Sequence, residues 1–165
     1  MQSFSKFFVP PLTAVTMTVV LAGPSQAHDS IINVSLWDKG ADAAMATGLG
    51  MGMPGADMSK ATMGIKLSTD AVDSGRVTFE VTNTSTVNTH EMVIAPVQDA
   101  MKPLPYIAAE SEVDEDGIGD LGEVSELEPG KSGSLTLNLR PGKYVLFCNV
   151  PGHYMGGMWT LLTVN

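Results

Sequence analysis

The sequence predicts an all-β fold, an antiparallel sandwich or barrel of seven or eight short strands. Three observations carry that expectation. Short runs alternate apolar with polar residues or are rich in β-branched side chains. Turn-forming residues punctuate them at Asp73, Ser74 and Gly75, at Pro129 and Gly130, and at Pro141 and Gly142. No long stretch carries a helical period, and no internal repeat is visible.

The runs follow in chain order. Residues 31–37 and 63–69 are the first two, IINVSLW and MGIKLST, and residues 76–82, RVTFEVT, alternate strictly. A short run, EMVIA, follows at residues 91–95, apolar after Glu91. Residues 132–139 place leucines two apart in SGSLTLNL, so one face is apolar. The last two runs are residues 143–149, KYVLFCN, and residues 158–164, MWTLLTV. Two segments do not read as strands. Residues 41–62 are rich in Gly and Met, with Met45, Met51, Met53 and Met58, and predict a long loop or flexible arm. Residues 110–128 hold nine acidic side chains and no Lys or Arg, and predict a solvated acidic loop or face.

Length and composition bound the function. The 165 residues suit one domain, and 44% apolar content is enough for a packed core. A formal net charge of −9 argues against a nucleic-acid binder, which needs a basic face. Residues 1–27 read as a secretory signal peptide: Lys6 is a basic start, residues 12–22 have the length of its apolar core, and Ser25 and Ala27 are small residues before a cut. That core is too short to span a bilayer, and Pro10, Pro11, Gly23 and Pro24 argue against an uncleaved anchor. The mature domain is then residues 28–165, exported to the periplasm with no stable membrane span and expected to be monomeric. Almost all of its excess charge lies in residues 110–128.

A lone Cys in an oxidising compartment forms no internal disulfide and needs another reason to be there. Only three His are present, His28, His90 and His153, which argues against multicopper oxidases and His-rich hydrolases. The informative stretch is residues 142–158: a strand ends at Cys148, a Pro-Gly turn presents His153, and a Gly-rich loop leads to Met158. Thiolate, imidazole and thioether lie within eleven residues, and a second imidazole, His90, stands beside an earlier strand. Two His and one Cys with a distant axial Met form the ligand set of type 1 copper. Structural zinc prefers more thiolates and iron–sulfur clusters need four Cys, so neither is assembled here. Met155 lies on the same loop, so the residues alone leave the axial position open.

At these residues the chain resembles the small blue copper proteins, the cupredoxins, and among them periplasmic members with a Met-rich N-terminal arm. The match covers residues 83–91 and 143–165, with the strand pattern extending it over most of the mature chain. The resemblance implies a Greek-key β-sandwich holding one copper ion, with His90, Cys148, His153 and Met158 as ligands. The Cys-x4-His-x4-Met spacing and the Gly-x-Tyr-x-x-x-Cys lead-in from Gly142 are the motifs that carry it. Glu91 departs from the Asn or Ser often found after the first His. The backbone N–H to the Cys sulfur carries over, whereas the side-chain tie between the ligand loops does not.

The expected function is a one-electron carrier rather than an enzyme, exchanging electrons with a c-type cytochrome or an oxidase. Residues 110–128 are the expected docking surface for such a partner. The alternative is a copper-handling protein that binds, buffers or delivers the metal. Its Met-rich arm would take Cu(I), because thioethers are soft donors.

Overall fold

The computed structural model describes residues 29–165, so the signal-peptide segment 1–27 and His28 lie outside the described residues. Every strand run read from the sequence forms a strand: β1 Ser30–Asp38, β2 Met63–Leu67, β4 Gly75–Asn83, β5 His90–Val97, β9 Ser132–Leu139, β10 Gly142–Phe147 and β11 Trp159–Val164. Three two-residue strands join them, β3 Ala71–Val72, β6 Tyr106–Ile107 and β7 Glu112–Val113. The acidic stretch contributes one helical turn, α1 Glu115–Ile118, and a further strand, β8 Gly122–Leu127. That strand was not legible as one. Only Val124 is buried in it, and its other positions are Gly, Ser, Glu and a half-exposed Leu. It pairs on one side only, at a sheet edge, where charged side chains are tolerated.

Two sheets face each other. One has the order β2-β1-β4-β9 and the other β3-β11-β10-β5-β8. Consecutive strands change sheet from β4 to β5, β8 to β9 and β9 to β10, as a Greek-key sandwich requires. Most pairings are antiparallel, but β1 runs parallel to β4 and β11 parallel to β3. The β1–β4 pair is parallel because the intervening chain is a long crossover containing the arm, β2 and β3.

The main core lies between the sheets. Ile32, Val34, Leu36, Val77, Phe79 and Val81 meet Met92, Ile94, Leu146, Cys148, Met158 and Leu162. A second apolar cluster covers the outer face of the other sheet, where Val93, Ala95, Val145 and Phe147 pack on Met51, Leu104, Val113 and Tyr154. The central strands β5 and β10 are therefore buried on both faces, which explains why they read as continuous apolar runs instead of alternating.

The Met-rich segment is a loop, as its composition suggests, but it is tied to the sandwich. Leu49 N–H donates to the Met155 carbonyl at 2.9 Å, and the Trp159 indole donates to the Leu49 carbonyl at 2.7 Å. Met51 is 1% exposed. At Gly52, φ is +70° and a Cβ would come within 2.5 Å of the Lys102 backbone, so only glycine lets the loop pass there.

This packing makes the segment part of the fold. Met51→Ala should cost about 2–5 kcal/mol, as other large-to-small core changes do. Met53→Ala, at a half-exposed position, should cost far less. Urea melts of the two variants check this, and equal, negligible losses would mean the segment does not pack.

Candidate metal centre

Three strands adjacent in one sheet deliver the site. His90 opens β5, Cys148 follows the last residue of β10, and Met158 precedes the first residue of β11. The β5–β8 register shifts between His90 and Met92, a bulge that re-aims the residues at the start of β5. The loop between Cys148 and Met158 closes on itself. His153 N–H donates to the Val150 carbonyl and Met158 N–H to the His153 carbonyl, while Cys148 N–H donates to the Met158 carbonyl at 3.0 Å.

The side chains converge. His90 Nδ1 lies 3.2 Å from His153 Nδ1, and Cys148 Sγ lies 3.4 Å from His153 Nδ1. Among the described residues, this is the one group of His, Cys and acidic side chains that draws close enough to hold a metal, with its donor atoms within 4.8 Å of one another. Met158 is fully buried in the same core cluster as Cys148. Met155 turns away, packs on the second cluster, and sets its sulfur against Gly50.

The electrostatics suit a cation. Burial pushes the Cys148 thiol up to about 12, against the N–H groups of Glu91 and Val150, which lower it. The thiol therefore keeps its proton until a metal displaces it. Burial, reinforced by the neighbouring His90, holds His153 down at about 4. Burial also lowers His90, although Asp38 opposes that shift. Both imidazoles are thus neutral at pH 7, with lone pairs available for ligation.

Glu91 N–H donates to Cys148 Sγ at 3.5 Å, as the resemblance implies. The tie between the ligand loops is also present, in another form. The Glu91 carboxylate accepts from the Asn149 backbone N–H. Burial pushes Glu91 up to about 7, with Glu123, Glu115 and Glu126 adding to the rise. The Asn149 side chain in turn exchanges hydrogen bonds with Val113 and donates to Glu115 Oε1 at 2.7 Å. The acidic segment is therefore fastened to the residue that follows Cys148.

Sequence reasoning missed two residues here. Asp38, at the end of β1, sets Oδ2 2.8 Å from His90 Nε2. Asn83, fully buried, shapes the loop before His90 by donating to the Asn88 and Leu127 carbonyls and accepting from Ser85 N–H. Asp38 gave no signal because it stands far from His90 in sequence, after an ordinary strand.

No family model and no curated protein matches the sequence. Solved structures do. Rusticyanin from Thiobacillus ferrooxidans is 16% identical over 83% of this chain and 77% of that one, with a TM-score of 0.53. Another structure, of the copper protein rusticyanin, is 16% identical over 83% and 78%, with a TM-score of 0.51. Auracyanin B is 20% identical over 86% and 92%, with a TM-score of 0.50. At these identities the likeness establishes the fold. The chain shares their β-sandwich fold, and His90, Cys148 and His153 cluster in it as a potential metal site.

Proposed function

We propose that this protein is a mononuclear type 1 copper protein that carries one electron at a time in the periplasm. The convergence of His90 Nδ1, His153 Nδ1 and Cys148 Sγ in a buried pocket is the observation that carries the reading. The donor set fits copper, since one soft thiolate and two imidazoles serve both oxidation states. Met158 would complete the donor set in this reading. Its burial beside Cys148, and its backbone bonds to both Cys148 and His153, support it over Met155. Bound copper would supply a one-electron couple. The chain's own part is to hold the donors still and exclude water. Cys148 is fully buried, and the Glu91 N–H on its sulfur disperses thiolate charge. Among the described residues no helix is long and apolar enough to cross a membrane.

The expected partner is a c-type cytochrome or an oxidase with a cationic face, docking on residues 110–128. The Asn149 bonds to Val113 and Glu115 support this choice, because they set the acidic surface one residue from Cys148. A copper-handling role is the second reading. Methyl or sulfur atoms of Met45, Met63 and Met58 lie against Gly152, Gly156 and Gly157 of the ligand loop, and Met45 and Met58 are 48% and 41% exposed. Soft donors at that position favour Cu(I).

Cu(II) added to the mature protein should give an intense thiolate-to-copper band, and Cys148→Ser should abolish it. Met158→Leu should keep copper and raise the reduction potential, whereas Met155→Leu should leave it unchanged. A colourless Cu(II) complex of the wild type would refute the assignment.

Replacing Glu110, Glu112, Asp116 and Asp120 by their amides should slow electron exchange with a cationic cytochrome and flatten its salt dependence, without altering the copper spectrum. An unchanged salt slope would remove the docking role. For the second reading, a Cu(I) titration against a competing chelator should reveal more than one bound ion, with the excess lost in a Met45→Leu, Met58→Leu double variant. One Cu(I) bound equally by both proteins would leave the carrier role alone.

A further inference from the structure

The Asp38 carboxylate is the least expected charge in the molecule. Its side chain is 3% exposed, and no Lys or Arg pairs with it among the described residues. Its oxygens instead meet N–H donors, which stabilise the ionised form. The contacts are short: Gly40 N–H donates to Oδ1 at 2.7 Å, and Asn88 Nδ2 donates to Oδ2 at 2.9 Å. The second contact at Oδ2 is His90 Nε2, at 2.8 Å.

An ionised carboxylate only accepts hydrogen bonds. His90 must therefore carry its proton on Nε2, which leaves a lone pair on Nδ1. That is the nitrogen aimed at His153 and Cys148. Three elements fix the arrangement: β1 brings Asp38, the loop shaped by Asn83 brings Ser85 and Asn88, and β5 brings His90. The same contact makes the imidazole a stronger electron donor, and it places a full negative charge behind the ring. Both effects favour the more highly charged ion at Nδ1, because a buried anion interacts more strongly with a dication than with a monocation.

We propose that Asp38 is a positioning residue for the metal centre, holding His90 in the Nε2–H tautomer and biasing bound copper toward the oxidised state. The inference rests on the reading above that His90 Nδ1 is a copper ligand, but its tautomer half stands without metal. The other titratable side chains that cluster with His90 are His153 and Cys148.

The test has a metal-free arm and a copper arm. In the metal-free wild type, nitrogen-15 NMR of the imidazoles should find the His90 proton on Nε2, protected from exchange. Asp38→Ala should lose that protection. In the copper arm, Asp38→Asn keeps an acceptor for Nε2–H but removes the charge. It should retain the blue band and lose at least tenfold in Cu(II) affinity relative to Cu(I). For a one-electron couple that loss is a rise of about 59 mV in potential. Asp38→Ala should lose about 10–100-fold in Cu(II) affinity, the usual range when a partner of a metal-bound His is removed.

A merely structural Asp38 would lower the melting temperature of both variants and leave the potential unmoved. An unchanged or lowered potential in a blue Asp38→Asn variant overturns the bias. A His90 proton on Nδ1 in the metal-free wild type overturns the positioning role, and this measurement needs no variant to fold. Absence of the blue band in the wild type would instead defeat the copper reading itself, with the NMR result unaffected.

Discussion

Backbone pairing between β5, β10 and β11 is the constraint on which the centre depends. These strands are neighbours in one sheet, so the start of β5, the end of β10 and the approach to β11 reach the same end of the sandwich. Cys148 N–H to the Met158 carbonyl continues that ladder beyond the last strand pair, and Glu91 N–H to Cys148 Sγ joins it from the other side. The donors are held by hydrogen bonds the chain must make whether or not a metal is present, because buried backbone groups without partners are costly. A site formed this way is organised before its ion arrives.

Burial on both faces of that sheet has a second consequence. The main core shields Cys148 from one side, while Met51, Tyr154, Leu104 and Val113 seal the other. Covering the outer face requires chain, and the chain comes from the Met-rich loop and from the segment leading into the acidic stretch. Both segments look detachable by composition, and both are fastened to the ligand loop, through Leu49 to Met155 and through Val113 to Asn149. Water exclusion at the thiol and the surface presented to a partner are therefore built from the same residues.

The charges around the centre divide into two kinds. Asp38 accepts from the Gly40 N–H and the Asn88 amide and contacts an imidazole. Glu91 is buried among other acids and is pushed up to about 7, so near neutral pH it is only partly ionised. One carboxylate is stabilised as an anion by donors, and the other is kept from becoming fully anionic by burial and like charges. Two acids close to one site thus act differently because their surroundings differ, not their chemistry.

The sequence by itself determined the sandwich and the three converging donors. Alternation is local, so each long strand was legible within its own residues. Cys148 and His153 share one short stretch with two candidate methionines, so these two donors were legible locally while the choice between Met155 and Met158 was not. His90 followed because the chain offers few imidazoles. The tertiary structure decided what depends on distant residues meeting. The strand β8 forms because a neighbouring edge accepts it, with Val124 buried and Leu127 half-buried against the core. The parallel run of β1 beside β4, the packing of Met51 under Tyr154, and the separation of Met155 from Met158 all depend on how the loops close. Asp38 is the clearest case. It stands 52 positions from His90, and nothing local distinguishes it from any other acid that ends a strand. Only the crossing of β1 past β5 brings carboxylate and imidazole to 2.8 Å.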